Sequence, residues 1–367
     1  MRKVVENFAF IIAFIGCIFI SNACNQPVTF EQPVFCLGDS NYVASTVAGN
    51  GTLGFVNGAV ENASFNNPYG ITIGNDGVIY VSDNGNHVIR KILPTGVVQT
   101  LSGNGSSGSQ NGLPDSTRFN SPIRLAVDSL GNVYVADFNN NVIRKVTPDG
   151  VSSVYAGSGV AGFADGDSTQ AQFYSPAGIC LAPGLILYVT DFNGHRVRKI
   201  TPDRKVTTYA GSGISGFADG IGISAQFLGP SDVAIDKSGN LYVSEFLSNR
   251  IRKISPDQSV RVFAGGTSAG FADGSGSSAQ FNSPDGITVD SAGAVWVCDR
   301  GNNLFRKISL DGRVSTIAGC SAQGFSDGRG KDIRLNAPRD VAIDANGNFI
   351  IADGISNRIR KIQFSPL

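Results

Sequence analysis

The stretch Phe173–Gly220, FYSPAGICLAPGLILYVTDFNGHRVRKITPDRKVTTYAGSGISGFADG, decides the fold because versions of it recur along most of the chain. Its Phe-x-x-Pro motif returns at intervals of 54 residues, with Leu335 in place of Phe in the last copy and prolines at Pro68, Pro122, Pro176, Pro230, Pro284 and Pro338. An acidic residue that ends an apolar run and an Arg-Lys pair keep the same spacing, as Asp191 and Arg198-Lys199 do in this copy. Six copies in constant register predict a repeat protein.

Each copy contains four short apolar segments joined by turn residues. In the copy that precedes the quoted stretch, the second, third and fourth segments are Val133–Asp137, Val142–Val146 and Val151–Ala156. The second segment is apolar on both alternating faces, which is typical of a strand that does not meet water. A Pro-Asp-Gly turn joins the third segment to the fourth. Four antiparallel strands followed by a longer link predict one β-propeller blade per copy.

The two ends of the repeat region predict how the ring closes. Residues 43–49 correspond to a fourth strand, whereas the chain stops at Leu367 after a third strand. We therefore expect strand 43–49 to complete the last blade, because this pairing removes the open edges of the ring. The sequence predicts an all-β protein, a six-bladed propeller of four-stranded antiparallel blades.

Composition and charge limit the classes of partner. The chain has 29 Lys and Arg against 29 Asp and Glu, and 16% of its residues are charged, below the ~25% of an average soluble protein. It has no basic run, which argues against nucleic acid as a partner. We expect a monomer.

The first 23 residues are typical of an export signal. A short basic start precedes the apolar stretch 8–20, which is too short to span ~30 Å of hydrocarbon. Cys24 follows a small residue, as in bacterial lipoprotein signals, so we expect Cys24 to be lipidated and the protein to lie in the bacterial cell envelope, with a membrane contact only through the lipid. Secretion without a lipid and an uncleaved anchor stay open. The predicted organisation is signal 1–23, tether 24–42 and propeller 43–367.

The other cysteines divide into two kinds. Cys180 and Cys298 occupy repeat positions that hold Ala, Ser or Thr in the other copies, so we interpret them as small packed residues. Cys36 and Cys320 fit no repeat position, and a disulfide between them stays open. No paired C-x-x-C spacing indicates a metal site.

Four recurrent motifs have structural interpretations. We interpret the repeated acidic residues as acceptors of hydrogen bonds from neighbouring turns. The repeated arginines are expected to pair with carboxylates inside the blades, since an unpaired buried charge is costly. His87 and His195 share a position with Asn in other copies, which indicates a turn hydrogen bond. The Gly-Phe-x-Asp-Gly links lack the alternating ligands of calcium loops.

The Asn86-His87-Val88 and Gly194-His195-Arg196 turns, with the Ala-Gly-x-Gly and Gly-Phe-x-Asp-Gly links, resemble the NHL repeat of long-repeat bacterial proteins. The resemblance covers residues 43–367. It implies a propeller, but it says little about function, because family members bind proteins or RNA and a few relatives are enzymes.

Because the repeated positions have structural interpretations, we expect the functional residues at positions where the six copies differ around the channel mouth. The two positions after the motif proline, and the position after the acidic residue, change from copy to copy. We predict a ligand site formed by Tyr69, Arg124, Phe138, Phe192, Asp232, Phe246, Asp285, Arg300, Arg339 and Asp340. Apolar and charged groups in one concavity are typical of ligand sites. The alternative is that the three phenylalanines only cover the Gly-rich links.

Three classes of function stay open. The favoured one is a binding module for a protein or small-molecule ligand. The alternative is a metal-dependent enzyme of the lactonase or lyase type, and the third is a structural envelope protein. Asp232 and Asp285 lie on adjacent blades, so a divalent cation or a cationic group is expected between them if the mouth binds one. No other cofactor is indicated. We also expect Asp232→Asn with Asp285→Asn to leave the fold intact.

Overall fold

Each copy of the repeat forms one antiparallel blade, whose first strand begins at the motif proline. The computed structural model describes residues 35–367. Blade 1 contains Pro68–Ile73, Ile79–Asp83, Val88–Leu93 and Val97–Ser102; blade 2 contains Pro122–Val127, Val133–Asp137, Val142–Val146 and Ser152–Ala156; blade 3 contains Pro176–Ala182, Ile186–Asp191, Arg196–Ile200 and Val206–Ala210. Blade 4 contains Pro230–Ile235, Leu241–Glu245, Arg250–Ile254 and Ser259–Ala264; blade 5 contains Pro284–Val289, Val295–Asp299, Leu304–Ile308 and Arg313–Gly319; blade 6 contains Pro338–Ile343, Phe349–Asp353, Arg358–Phe364 and Tyr42–Ala48.

Short elements extend these blades. Four blades gain a two-residue strand at the outer edge, formed by the incoming link: Gly58–Ala59, Gly220–Ile221, Gly274–Ser275 and Gly328–Arg329. Single bridges take its place in blades 2 and 3. The 3-10 turns are Asn84–Asn86, Phe138–Asn140, Gly222–Ser224, Gly276–Ser278, Arg300–Asn302 and Gly330–Asp332. Within residues 35–367, no helix is long and apolar enough to cross a membrane.

The predicted closure of the ring is confirmed. Strand Tyr42–Ala48 pairs with the third strand of blade 6, from Tyr42 opposite Phe364 to Ala48 opposite Ile359. The first strand of the described residues therefore completes blade 6, and both ends of the repeat region share one sheet.

The segment just before this strand differs from the prediction of a tether over residues 24–42. The Leu37 amide donates to the Gly319 carbonyl at 3.2 Å, and the Asp39 amide donates to the Ile317 carbonyl at 3.0 Å. A disulfide joins Cys36 to Cys320. Residues 35–41 are thus fixed to blade 5, whereas the predicted signal and Cys24 lie outside the described residues.

The core lies between neighbouring blades. One representative cluster joins Tyr134 and Ile143 of blade 2 to Ile179 and Val189 of blade 3, with Phe173 fully buried in it. Burying such a side chain contributes roughly 1.5–3 kcal/mol. This phenylalanine, or Leu335 in the last copy, therefore packs each blade against the one before it.

Of the two remaining cysteines, only Cys298 is fully buried as predicted. Cys298 is fully buried in the core cluster shared by blades 5 and 6. Cys180 is partly exposed and lines the central channel.

Candidate functional site

The repeated acidic residue and the repeated arginine form a buried pair in every blade. Asp191 Oδ1 accepts a hydrogen bond from the Tyr174 amide at 2.6 Å, and Asp191 Oδ2 lies 3.3 Å from Arg198 Nη1. Burial raises the pKa of Asp191 to about 6, against the opposing effect of Arg198. The structural interpretation of both motifs is confirmed, and the equivalent pairs are Arg90–Asp83, Arg144–Asp137, Arg252–Glu245, Arg306–Asp299 and Arg360–Asp353.

The two histidines join neighbouring blades. His87 has a left-handed backbone, and its Nδ1 accepts a hydrogen bond from the Ser121 amide of the next blade at 3.2 Å. His195 accepts from the Gly229 amide at 3.4 Å in the same way. Asn141 does so at its own position with Oδ1. A structural hydrogen bond therefore explains both histidines, but it links two blades and does not lie within the turn as predicted.

The aspartates of the Gly-Phe-x-Asp-Gly links also serve the blades. Asp165 Oδ1 lies 2.7 Å from Arg198 Nη2, and Asp165 Oδ2 accepts from the Thr208 amide at 3.0 Å. Over residues 35–367, no group of three or more His, Cys, Asp or Glu side chains could hold a metal ion.

Around the channel, the second position after the motif proline alternates between glycine and a charged residue. The glycines lie on blades 1, 3 and 5, and Arg124, Asp232 and Asp340 lie on blades 2, 4 and 6. A Cβ atom on Gly178 would lie 2.4 Å from the Asp232 Cα atom. Real Cβ atoms do not approach that closely. At this repeat position, the first strands therefore leave room for a side chain only on every second blade.

The three charged residues meet inside the channel. Arg124 Nε lies 2.9 Å from Asp232 Oδ2 and 3.7 Å from Asp340 Oδ1, and Arg124 Nη2 lies 2.6 Å from Asp285 Oδ1. Arg124 Nη2 also donates to the Arg339 carbonyl at 3.0 Å. The side chain of Arg124 is only 2% exposed. We call Arg124, Asp232, Asp285 and Asp340 the ion cluster. Arg124 lines both the cavity at the mouth and the cavity in the rest of the channel.

The ion cluster changes two expectations from the sequence. The cation between Asp232 and Asp285 is Arg124 of the chain itself. Because both carboxylates pair with this buried guanidinium, replacing both with Asn would leave much of its charge unpaired. The double Asn variant is therefore expected to lose stability.

Asp285 differs from the other two carboxylates in its surroundings. It accepts a hydrogen bond from the Tyr69 hydroxyl at 2.9 Å and lies 3.4 Å from Arg300 Nη1. Burial alone would raise its pKa, but Arg124, Arg300 and Arg339 together hold the pKa of Asp285 below its ordinary value. Asp285 is thus a charged anchor for the arginines of the mouth.

The mouth has an aromatic half on blades 2 to 4. Phe138, Phe192 and Phe246 each follow the acidic residue of their blade, and all three are partly exposed. Ring centroids are 6.2 Å apart between Phe138 and Phe192 and 6.4 Å apart between Phe192 and Phe246. The three rings form a continuous row that ends where the guanidinium of Arg300 lies 5.0 Å from the Phe246 ring.

The other half of the mouth, on blades 5, 6 and 1, is polar. Arg339 donates to Asn67 Oδ1 at 3.1 Å, and its guanidinium lies 4.8 Å from the Tyr69 ring. A Cβ atom on Gly354 would lie 2.7 Å from Arg339 Cγ. Glycine at this position therefore gives the arginine room to lie across blade 6.

Between the two halves lies a cavity of about 90 Å³, the mouth cavity. It is lined by Tyr69, Ile123, Arg124, Phe138, Ala177, Phe192, Ser231, Phe246 and Arg300. The structure thus brings together six of the ten predicted site residues. Of the rest, Asp285 and Arg339 contact Tyr69, and Asp232 and Asp340 lie on the channel side of Arg124. Ile123, Ala177 and Ser231 were missed, although they share repeat positions with Tyr69.

A family comparison identifies the repeats. The NHL repeat model matches residues 65–92, 119–145, 173–200 and 281–308. These matches fall on blades 1, 2, 3 and 5. Blades 4 and 6 keep the same strands and the same buried pairs.

Similar proteins come from plants and animals. Protein SUPPRESSOR OF QUENCHING 1 of Arabidopsis thaliana is 29% identical over 85% of this chain and 31% of its own length. NHL repeat-containing protein 2 of Gallus gallus is 26% identical over 71% of this chain and 41% of its own length. The chain therefore spans less than half the length of either relative.

Solved structures share the fold at low identity. An auxiliary nutrient binding protein from Bacteroides thetaiotaomicron superposes with a TM-score of 0.67 at 18% identity, over 88% of this chain and 76% of that one. A gluconolactonase from Xanthomonas campestris gives 0.58 at 15% identity, over 89% and 90%. Virginiamycin B lyase from Staphylococcus aureus gives 0.52 at 16%, over 88% and 99%. The chain therefore contains four NHL repeats within a six-bladed β-propeller.

Proposed function

We propose that this propeller is a binding module whose ligand-binding surface is the channel mouth, and that the ligand presents an aromatic or small apolar group beside an anionic group. The observation that carries the proposal is the split mouth, with the Phe138, Phe192 and Phe246 row on one side and Arg300 on the other. Residues that recur in all six blades are explained by blade structure. The phenylalanine row is different, because blades 5, 6 and 1 have no phenylalanine at this position.

The size of the mouth cavity limits what enters it. Ligand pockets for whole small molecules usually measure ~300–1,000 Å³, whereas the mouth cavity measures about 90 Å³. That volume suits one ring or one short side chain. We therefore expect one group of a larger ligand, such as a side chain of a protein partner, to enter the mouth while the rest lies on the surrounding face.

The charge of the mouth favours an anionic neighbour for that group. Arg300 has a side chain that is 27% exposed, whereas Asp285 is fully buried between cations. The accessible charge is therefore positive. An arginine beside an apolar surface can donate two parallel hydrogen bonds to a carboxylate or a phosphate.

The comparisons support binding in general terms. A similar fold occurs in an auxiliary nutrient binding protein, although identity at this level speaks for the fold alone. The same fold occurs in a lactonase and a lyase. The enzyme alternative receives no support from the geometry, since the described residues bring no metal-ligand group to the mouth and both histidines bond to the next blade.

The proposal is tested by titrating the protein with phenylacetate, which carries one ring and one carboxylate. Phe192→Ala removes the central ring of the row, and Arg300→Gln removes the exposed cation. Each is expected to weaken phenylacetate binding about tenfold, or about 1.4 kcal/mol, as measured by calorimetry. Leu130→Ala changes an exposed leucine in a turn between the first and second strands of blade 2 and should leave binding unchanged. Equal affinities for all four proteins would refute a site at the mouth.

We also propose that the protein is exported and held at a membrane by a lipid on Cys24. The Cys36–Cys320 disulfide supports export, because such bonds persist in oxidising compartments and are rare in the cytosol. On this proposal residues 1–23 are a signal, and the propeller presents its mouth from the cell envelope.

Cys24→Ser is expected to release the protein from the membrane into the soluble fraction. Each buried acyl CH₂ contributes about 0.8 kcal/mol to membrane binding, so losing the lipid abolishes stable attachment. Fractionation of cells that express either form, followed by immunoblotting, measures the change. Retention of the Ser variant in membranes would indicate an uncleaved apolar anchor instead.

A further inference from the structure

The link that joins blade 3 to blade 4 carries an exposed apolar patch. Ile214, Phe217, Ile221 and Ile223 are each more than half exposed, and we call these four residues the link patch. In each of the other five links, at least one of the two positions of Ile221 and Ile223 is polar; the pairs there are Ala59 and Glu61, Leu113 and Asp115, Asp167 and Thr169, Ser275 and Ser277, and Arg329 and Lys331. Blade structure therefore does not require two isoleucines here, and contiguous exposed apolar residues are typical of an interaction surface.

Arg250 of blade 4 lies against the link patch without a polar partner. Its guanidinium carbon is 4.2 Å from the centroid of the Phe217 ring, and the residue is only 8% exposed. Across residues 35–367, no group accepts a hydrogen bond from the Arg250 side chain, and no carboxylate oxygen lies within 4.0 Å of its nitrogen atoms. Polar groups at this level of burial usually have hydrogen-bond partners. Arg250 therefore has donors available to an anionic group from outside the chain.

The equivalent arginines of blades 3 and 6 are partnered. Arg196 and Arg358 each donate to two backbone carbonyls, at 2.9 to 3.1 Å. Arg196 lies across Gly213, where a Cβ atom would overlap its guanidinium. Blade 4 has Thr267 at the repeat position of Gly213, so a side chain stands where the arginine of blade 3 needs a glycine. The sequence thus gives a physical reason why Arg250 does not bond to its own link.

We propose that the link patch and Arg250 bind a segment of a partner protein in which one carboxylate lies between aliphatic side chains. A guanidinium can donate two parallel hydrogen bonds to a carboxylate, and the isoleucines of the patch can cover the aliphatic neighbours of that carboxylate. An anionic bilayer is a poorer fit, because attraction to such a surface grows with the number of exposed Lys and Arg side chains. The link patch shares no residue with the mouth, so this inference does not depend on the function proposed there.

The test is an NMR titration of the full-length protein with the peptide acetyl-Leu-Glu-Leu-amide and with its Gln counterpart, acetyl-Leu-Gln-Leu-amide. We expect the Glu peptide to bind about tenfold more tightly, because charge-assisted hydrogen bonds are roughly twice as strong as neutral ones. Arg250→Gln should remove this preference. Arg196→Gln is the matched control, since it removes the equivalent cation from blade 3, which already donates to two carbonyls, and should leave the preference unchanged.

A variant without any charge change guards against a folding defect in Arg250→Gln. Ile223→Thr introduces the residue that blade 3 has at this position, Thr169. Because Ile223 is exposed, the melting temperature should not change, whereas binding of the Glu peptide should weaken severalfold. Phe192→Ala alters the mouth and should leave this binding unchanged.

Four results would overturn the proposal. They are equal affinities for the two peptides, no binding of the Glu peptide at millimolar concentration, full binding by Ile223→Thr, and loss of binding in Phe192→Ala, which would place the peptide at the mouth. Binding of phosphatidylglycerol vesicles without binding of the Glu peptide would assign the link patch to a membrane and would also overturn it.

Discussion

Deleting residues 43–48 should abolish folding of the propeller, because this segment supplies the outer main strand of blade 6. Without it, strand Arg358–Phe364 loses its partner residues from Val43 to Ala48. The deletion also exposes Ile359 and Ile362, which are fully buried in the intact protein. An unpaired apolar edge of this kind is a template for aggregation.

The measurement is the yield of soluble protein together with a circular dichroism melt. The expected result is insoluble protein or loss of the cooperative transition. A peptide of residues 40–50 added during refolding should restore part of the folded yield by strand addition, whereas a scrambled peptide should not. A deletion variant with an unchanged melting temperature would show that the strand is not needed to close the ring.

Arg124→Met should be the most destabilising single substitution at the channel. Among residues 35–367, it removes the only cation paired with Asp232 and Asp340, and it leaves Asp285 with Tyr69 and Arg300. Removing one partner from a buried ion pair typically costs about 3–5 kcal/mol, because the remaining charge is uncompensated. Adding Asp232→Asn and Asp340→Asn to this variant should recover a large part of that loss.

The loss should also depend on pH, and urea unfolding at pH 5 and pH 7.5 measures it. The pKa of Asp340 is already raised to about 6, above its value of ~3.9 in an unfolded chain. The folded state thus binds the extra proton between these values, and the contribution of this group to stability is lost as pH rises through about 6. Removing Arg124 raises the pKa further, so Arg124→Met should cost more at pH 7.5 than at pH 5. A cost below about 1 kcal/mol at both pH values would contradict the role of Arg124 in the ion cluster.

The fold could be predicted from the sequence because each blade repeats the same local signals. The Phe-x-x-Pro motif marks the start of the first strand, and the acidic residue marks the end of the second strand, so six blades follow from a constant spacing. The closing strand was predictable from the phase of the repeat at its two ends. The fixed position of residues 35–41 was not predictable, since it depends on hydrogen bonds to Ile317 and Gly319, which lie nearly 300 residues away.

The sequence could predict which residues lie at the mouth, but not which of them contact one another. Comparing the copies identified the residues that break the six-fold pattern. It did not show that Arg124 reaches Asp285, three blades away across the channel. Which charged side chains meet depends on how blades on opposite sides of the channel are positioned. Local sequence patterns carry no information on that positioning. For that reason the expected cation between Asp232 and Asp285 proved to be an arginine of the chain.

The alternation of glycine and charge has a physical cause that the sequence concealed. Gly70, Gly178 and Gly286 lie where the neighbouring first strand comes too close for a Cβ atom. Glycine on one blade therefore makes room for a charged side chain on the next. Part of the variation among the copies thus reflects packing in the channel rather than recognition of a ligand.

The central claim, that the mouth recognises an anionic group beside an apolar one, is tested most directly by comparing phenylacetate with phenylacetamide. The two probes have nearly the same shape and differ in charge. The exposed Arg300 should favour the carboxylate, and charge-assisted hydrogen bonds are about twice as strong as neutral ones. We expect phenylacetate to bind the wild-type protein about tenfold more tightly than phenylacetamide. Equal affinities, or tighter binding of the amide, would contradict the account.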